Sequence, residues 1–262
     1  EEDEEPKGTK KAGVDLGERH LATVYVENEE NISVHGGRLR SLRRQHNRTL
    51  SNLRSKIDRK EKGSRRWKRL VRAKNRQLQK IRNRIEDFLH KTATRLVNTL
   101  HERRVGSVVV GDLTGIRERI SYGSRMNQRL HQWAYSKFEH MLTYKAQLCG
   151  MTVERASEAY TSQTCPNCKH KHKPPGRDFN CPQCSFEGHR DVVGARNILN
   201  ERYPGDEPTG STQVAGEGPK RSVMASPTGI RYRPNMQCNP ATASKTCTEP
   251  KGSCRQAGRP VG

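Results

Sequence analysis

Apolar and polar positions alternate from residue 12 to 35, AGVDLGERHLATVYVENEENISVH, with a Gly-rich and an Asn/Glu-rich turn between them. That period predicts two or three antiparallel strands, the first carrying Asp15. From Arg38 to about Arg104 the spacing becomes helical. Leu39, Leu42, His46, Leu50, Leu53 and Ile57 recur every three or four residues, KGS at 62–64 interrupts, and Trp67, Leu70, Val71, Leu78, Ile81, Ile85, Phe88, Leu89, Leu96 and Leu100 form a second stripe. This predicts a long helical hairpin. VGSVVVGDL at 105–113 reads as a buried strand, 129–149 as a helix with Leu130, Trp133, Phe138, Met141, Leu142 and Ala146 inward, and MTVERASEAY at 151–160 as another strand. HRDVVGARNILNER at 189–202 reads as a helix, and the Gly, Pro, Ser and Thr-rich chain from 203 to 262 as a disordered tail. Residues 1–11 are expected to be a linker cut from something longer, or a disordered start. They lack an initiator Met, a signal-peptide core and a transit-peptide composition.

Charge changes what the hairpin means. The 262 residues carry 50 Lys/Arg against 28 Asp/Glu, a net +22, and 24 of those Lys/Arg against only 5 Asp/Glu lie between 38 and 104. Cations so concentrated repel one another unless an anion lies alongside, which favours a phosphate-contacting surface over a merely solvated one. Arg65, Arg66, Lys68 and Arg69 are the densest group. An anionic membrane is the weaker partner, because no apolar run approaches 18 residues and no lipidation signal is present. With 31% hydrophobic and 5% aromatic residues, about half the length can build a core. A soluble intracellular protein is expected.

CPNC at 165–168 and CPQC at 181–184 are two C-x2-C knuckles 12 residues apart. Two such turns supply the four-thiolate tetrahedron that Zn2+ prefers, so Cys165, Cys168, Cys181 and Cys184 predict a zinc ribbon over 161–186. Four thiolates leave no open position, so the zinc is structural. Disulfides or a redox pair would need an oxidising or thioredoxin-like context that the chain does not show. His170, His172 and His189 flank the ribbon as competing ligands. Cys149, Cys238, Cys247 and Cys254 lack such spacing and read as free thiols.

Asp15 on a strand and Asp191 at the start of a late helix are separated by strand-rich chain. In an RNase H-like sheet such residues meet over divalent cations, which can activate water and stabilise the leaving oxygen of a phosphodiester. The segments GVDLGERHLATV at 13–24, VVVGDL at 108–113, YTSQTCPNC at 160–168 and HRDVVGARNIL at 189–199 resemble, in order, the signature segments of the TnpB (OrfB) transposon-encoded nucleases. These are RuvC-domain, RNA-guided DNA endonucleases related to type V CRISPR effectors. The resemblance covers residues 12–202. It implies an α/β, RNase H-like (RuvC) mixed sheet over 12–160 with the helical hairpin inserted at 38–104, the zinc ribbon at 161–186 and a last RuvC helix at 187–202. It further implies Mg2+ or Mn2+ as catalytic ion, DNA and guide RNA as partners, and a prokaryotic, cytoplasmic, nucleoid-associated protein.

Three departures from the family stand out. Its N-terminal wedge and recognition domains are expected to be missing here. Val193 and Gly194 replace Asn-Ala after Asp191-Val192. Gly111 stands where the family usually has Glu before the Asp of the middle segment. In the sheet order 3-2-1-4-5, strands 107–112 and 152–158 are parallel neighbours, so a carboxylate at the end of the latter can reach what Gly111 cannot. Glu158 is the expected replacement, and the resemblance points the same way, since a subset of the family with Gly-Asp-Leu in the middle segment carries Glu there. Glu154 shares its face, and Asp112 is a third candidate on the opposite face from 111. Asp15, Glu158 and Asp191 are then the expected cation ligands, with Arg190 on a phosphate. The alternatives are a catalytically inactive RNA-guided DNA-binding protein, acting as a repressor might, and a decayed fragment that binds nucleic acid without guidance.

Overall fold

The structure, a computed structural model, describes residues 8–114, 135–204 and 222–224. Strands β1 (Lys10–Asp15), β2 (His20–Val26) and β3 (Ile32–His35) form the antiparallel meander that the alternation at 12–35 predicts. The chain then leaves the sheet as the helices α1 (Gly37–Asp58) and α2 (Arg65–Glu102). Lys62 and Gly63 fall between them, with Gly63 at φ +90, and Ser64 caps α2 by accepting the Trp67 N–H at 3.2 Å. The chain returns as β4 (Val105–Asp112), then α3 (Tyr135–Leu148) and β5 (Thr152–Ser157). The start of the predicted 129–149 helix, with Leu130 and Trp133, lies outside the described residues.

The sheet order is β5-β4-β1-β2-β3, with β1, β4 and β5 parallel and β2 antiparallel to both neighbours. A sixth strand, β8 (Ser222–Met224), pairs parallel with β3. These three residues correct the expectation of an unstructured tail, because β3 left an open edge on which an extended segment could pair. The rest of 205–262, including Cys238, Cys247 and Cys254, lies outside the described residues.

Strand parity sorts the two faces of the sheet. Ala12, Val14, Leu16, Val108 and Val110 join Phe88, Leu89, Leu96, Phe138 and Leu142 of α2 and α3 in the main core. Gly13, Asp15, Val109, Gly111, Glu154, Ala156 and Glu158 belong to the other parity. There α4 (Arg190–Arg202) covers the sheet through Ile198 and Leu199, packed on Val109 and Ala156. Gly13 is required: a Cβ there would overlap the Ala195 carbonyl oxygen. The main core reaches only the sheet-proximal part of the hairpin. Leu78, Ile81, Phe88 and Leu89 are buried, whereas Trp67, Leu70 and Val71 are half-buried. Beyond Leu78 the hairpin stands away from the sheet core with its cations outward.

Between β5 and α4 lie the short strands β6 (Asp178–Asn180) and β7 (Glu187–His189), an antiparallel pair beside a small core of Cys165, Phe179, Cys181 and Val193.

Candidate functional site

Asp15 is the last residue of β1, and the parallel register sets Val14 beside Val110, so Asp15 and position 111 are neighbours on the α4 face. Gly111 pairs with Ala156 at the end of β5, and Glu158 follows two residues later. The Glu158 side chain folds back over Gly111. A Cβ at 111 would overlap Glu158 Oε1 and come within 2.6 Å of its carboxyl carbon. The space a side chain at 111 would take is thus filled by a carboxylate from the adjacent strand. Glu158 Oε1 is buried and has no hydrogen-bond partner among the described residues. Burial, then the charges of Asp15, Asp112 and Glu139, push the Glu158 carboxyl up to about 8. Burial and the Asp191 charge likewise push Asp15 up to about 7, against the opposing pull of Arg177 and Arg190. A third carboxylate arrives on α4, whose N-terminus points to this sheet edge. Gly194, one turn after Asp191, would bring a Cβ to 3.0 Å from Asp15 Oδ2. The small residue that departs from the usual family pattern is therefore in contact distance of Asp15.

Asp191 differs from the other two. Its Oδ2 accepts from His20 Nδ1 at 2.7 Å and its Oδ1 from Arg177 Nη1 at 2.5 Å, while its own N–H donates to His189 Nδ1 at 3.3 Å. Burial raises its pKa, but the His20 hydrogen bond and the Arg177 and His189 charges outweigh burial and hold Asp191 below the usual carboxylate range. His20, His189 and Asp191 each offer a ligand atom within 4.8 Å of the others. Neither His20 nor Arg177 was singled out from sequence. His20 opens β2 three residues before Thr23, the partner of Asp15, and pairs with His35 of β3; Arg177 sits between the knuckles with no spacing signal.

The remaining candidates lie elsewhere. Glu154 accepts from Arg202 Nε and, at 2.8 Å, from the Tyr203 hydroxyl, tying the far end of α4 to β5. Asp112 is exposed on the opposite parity and accepts from the Thr114 N–H at 2.9 Å and the Thr114 hydroxyl, bonds that lower its carboxyl. Arg190 Nη2 donates to Ser162 Oγ at 3.2 Å. Arg65, Arg66, Lys68 and Arg69 are all exposed at the start of α2, remote in the chain from the carboxylates.

The four cysteines converge. Cys165 and Cys184 Sγ are 3.5 Å apart, as are Cys168 and Cys181, and all four lie within 4.8 Å of one another. A tetrahedron with Zn–S bonds of about 2.3 Å has edges of about 3.8 Å, whereas a disulfide needs about 2.05 Å. The residue after each knuckle, Lys169 and Ser185, takes a left-handed φ of 58° and 54°, which turns both pairs of thiols inward. The cluster could hold a metal such as zinc. His172 packs edge-on against Phe179 with centroids 4.6 Å apart and stacks with His170, and neither histidine joins the sulfur cluster.

The fold and these two clusters define a mixed α/β protein, and comparison with known proteins places it further. A model described as a probable transposase, OrfB_IS605, matches residues 1–117, and one described as the Cas12f1-like TNB domain matches 135–198. The TnpB-like protein ORF457 of Acidianus two-tailed virus is 28% identical over 75% of this chain and 42% of its own length. The CRISPR-associated endodeoxyribonuclease Cas12f1 of Sulfoacidibacillus thermotolerans is 28% identical over 71% of this chain and 44% of its own. A Cas12f1–sgRNA–target DNA complex has the same fold, with TM-score 0.55 at 18% identity, over 76% of this chain and 52% of that one. These matches support a TnpB (OrfB)-family protein, and the chain spans less than half the length of those two curated relatives. No helix among the described residues is long and apolar enough to cross a membrane.

Proposed function

We propose that this chain is the RuvC-like, divalent-cation-dependent core of an RNA-guided DNA endonuclease of the TnpB type, associated with an insertion-sequence transposon. Its partners are DNA and a guide RNA, and its place is the bacterial or archaeal cytoplasm, at the nucleoid. The observation that carries this reading is the half-buried Glu158 carboxylate seated over Gly111, its Oε1 enclosed and without a hydrogen-bond partner among the described residues, and the group driven to about 8 by burial and the Asp15 charge. An enclosed carboxylate with no protein donor is stabilised by a cation or a proton and by nothing else in reach. Asp15, Glu158 and Asp191 are the residues that would hold Mg2+ or Mn2+, and such ions supply an activated water and stabilise the leaving oxygen of a phosphodiester.

The protein groups around them have separable tasks. Gly111 and Gly194 give the room in which Glu158 and Asp15 approach. His20 and Arg177 fix the orientation of Asp191 and keep it ionised. Arg190, anchored to Ser162, stands at the start of the same helix to bind a phosphate of the strand being cut. The four cysteines hold a structural zinc that fixes the segment carrying Arg177. The hairpin, through Arg65, Arg66, Lys68 and Arg69, lies along the nucleic-acid backbone.

Cleavage by the guide-loaded protein in Mg2+ or Mn2+ tests this. Asp15→Ala, Glu158→Ala and Asp191→Ala should each reduce cleavage to background while DNA binding persists, with Asp112→Ala milder. A Glu158→Ala protein that cuts normally contradicts the assignment. A parent protein that binds guided DNA but cuts in neither metal is an inactive binder instead.

A further inference from the structure

Tyr160 combines three features that packing does not account for. Together with Leu148 it is one of the two large apolar side chains left exposed among the described residues, at 62%. Its backbone is left-handed at φ 61°, a conformation costly for an aromatic residue. And it stands two residues beyond Glu158, on the loop that joins the carboxylate edge to the cysteine cluster. The turn is firmly held: the Tyr160 carbonyl accepts from the Gln163 N–H at 2.9 Å, the Thr164 N–H at 3.1 Å and the Thr164 hydroxyl at 3.0 Å. Buried Asn197 of α4 donates to the carbonyls of Thr161 and Thr164, both at 2.7 Å, locking the loop to the helix that carries Asp191. Lys171 places its ammonium 5.0 Å from the Tyr160 ring centroid.

Strain that the surroundings maintain, for a side chain that stays mostly exposed, marks a residue kept for contact with something else. We propose that Tyr160 is a stacking platform for an unpaired nucleobase of the strand entering the carboxylate site, with Lys171 on an adjoining phosphate. The ligand class follows from the pair: a flat aromatic face takes a base of any sequence, and a cation beside it takes the backbone. A paired base offers no free face, so the platform selects single-stranded over duplex DNA. Tyr160 is a positioning residue, and its role deepens the nuclease reading, on which it rests.

Glycine at 160 removes the ring while suiting the left-handed turn, so Tyr160→Gly should melt no lower than the parent protein. The probe is a single-stranded DNA oligonucleotide carrying a fluorescent purine analogue, bound to the full chain in buffer with no Mg2+ or Mn2+ and no chelator, so that the cysteine cluster keeps its metal. Tyr160→Gly should raise its dissociation constant about 5-fold or more and abolish quenching of the analogue. Tyr160→Phe should retain both, and affinity for the matching duplex should not move. Unchanged affinity and quenching in Tyr160→Gly, an equal loss for duplex, or a loss shared by Tyr160→Phe would each overturn the platform. Because no Mg2+ or Mn2+ is present, those failures leave the carboxylate assignment standing, and that assignment is tested separately by cleavage and by Mn2+ binding.

Discussion

The cysteine cluster and the carboxylate cluster each gather groups that are negative when ionised, and they differ in what surrounds them. The four sulfurs come from two local turns beside a small apolar core of Phe179 and Val193, with Cys168 and Cys184 exposed. The carboxylates come from three distant stretches of chain on a sheet that is already stable. There burial, then mutual repulsion, keeps Asp15 and Glu158 at raised pKa values, while hydrogen bonds from His20 and Arg177 hold Asp191 low. On the proposed zinc reading, the first arrangement makes a metal part of folding. The second leaves a stable scaffold with an unmet demand for positive charge.

The largest effect should come from the cysteines. Structural zinc contributes on the order of 10 kcal/mol or more in small zinc domains, far beyond what so small an apolar cluster supplies. Chelation, or Cys181→Ser, should therefore abolish hydrogen-exchange protection over 161–186 while β1, β2 and β4 stay protected. Elemental analysis of the reduced protein should find about one zinc per chain. Absence of zinc with the segment still protected would erase the contrast between the two clusters.

A smaller effect, of distinctive sign, should come from the carboxylates. Folded Asp15 and Glu158 hold protons more tightly than the unfolded chain, so metal-free stability should fall as pH rises from about 4 through about 8. Asp191 acts in the opposite sense: its lowered pKa contributes stability above the normal carboxylate range that is lost on acidification. Asp15→Asn or Glu158→Gln should raise metal-free stability, read as a higher Tm, at pH 8 and not at pH 4, each by at most on the order of 4 kcal/mol. A lower Tm at pH 8 in both variants would show that the carboxylates are not in mutual strain.

The hairpin repeats the same logic with the sign reversed and the groups exposed, so its effect is read in binding. Charge reversal at Arg65, Arg66, Lys68 and Arg69 should flatten the log–log salt dependence of duplex affinity by roughly 3.6, near 0.9 for each of four phosphate contacts. An unchanged slope would return these residues to solvated surface.

What could be read from the sequence follows the same division. The cysteine knuckles are legible because their ligands are local, and spacing alone sets the geometry. The sheet order and the reach of Glu158 were legible only through a topology, since residues 15, 111 and 158 meet by strand pairing. Parity could not separate Glu154 from Glu158, both on the α4 face. Arg202 and Tyr203 at the far end of α4 make the difference, and no periodicity marks them. Arg177 was invisible for the same reason: a lone arginine between two knuckles has no pattern until the fold sets it against Asp191. The pairing of β8 with β3 escaped notice because three residues in a Gly and Pro-rich stretch carry no period.

The central claim is that Glu158 supplies the charge that position 111 lacks, and Mn2+ binding to the guide-free chain, followed by electron paramagnetic resonance, tests it without requiring cleavage. Glu158→Ala should weaken Mn2+ binding by at least about tenfold, the equivalent of about 1.4 kcal/mol. Adding Gly111→Glu in that background should restore it, because the overlap between a residue-111 side chain and Glu158 has been removed. Unaltered Mn2+ affinity in Glu158→Ala, or a double variant no better than the single one, would contradict the account.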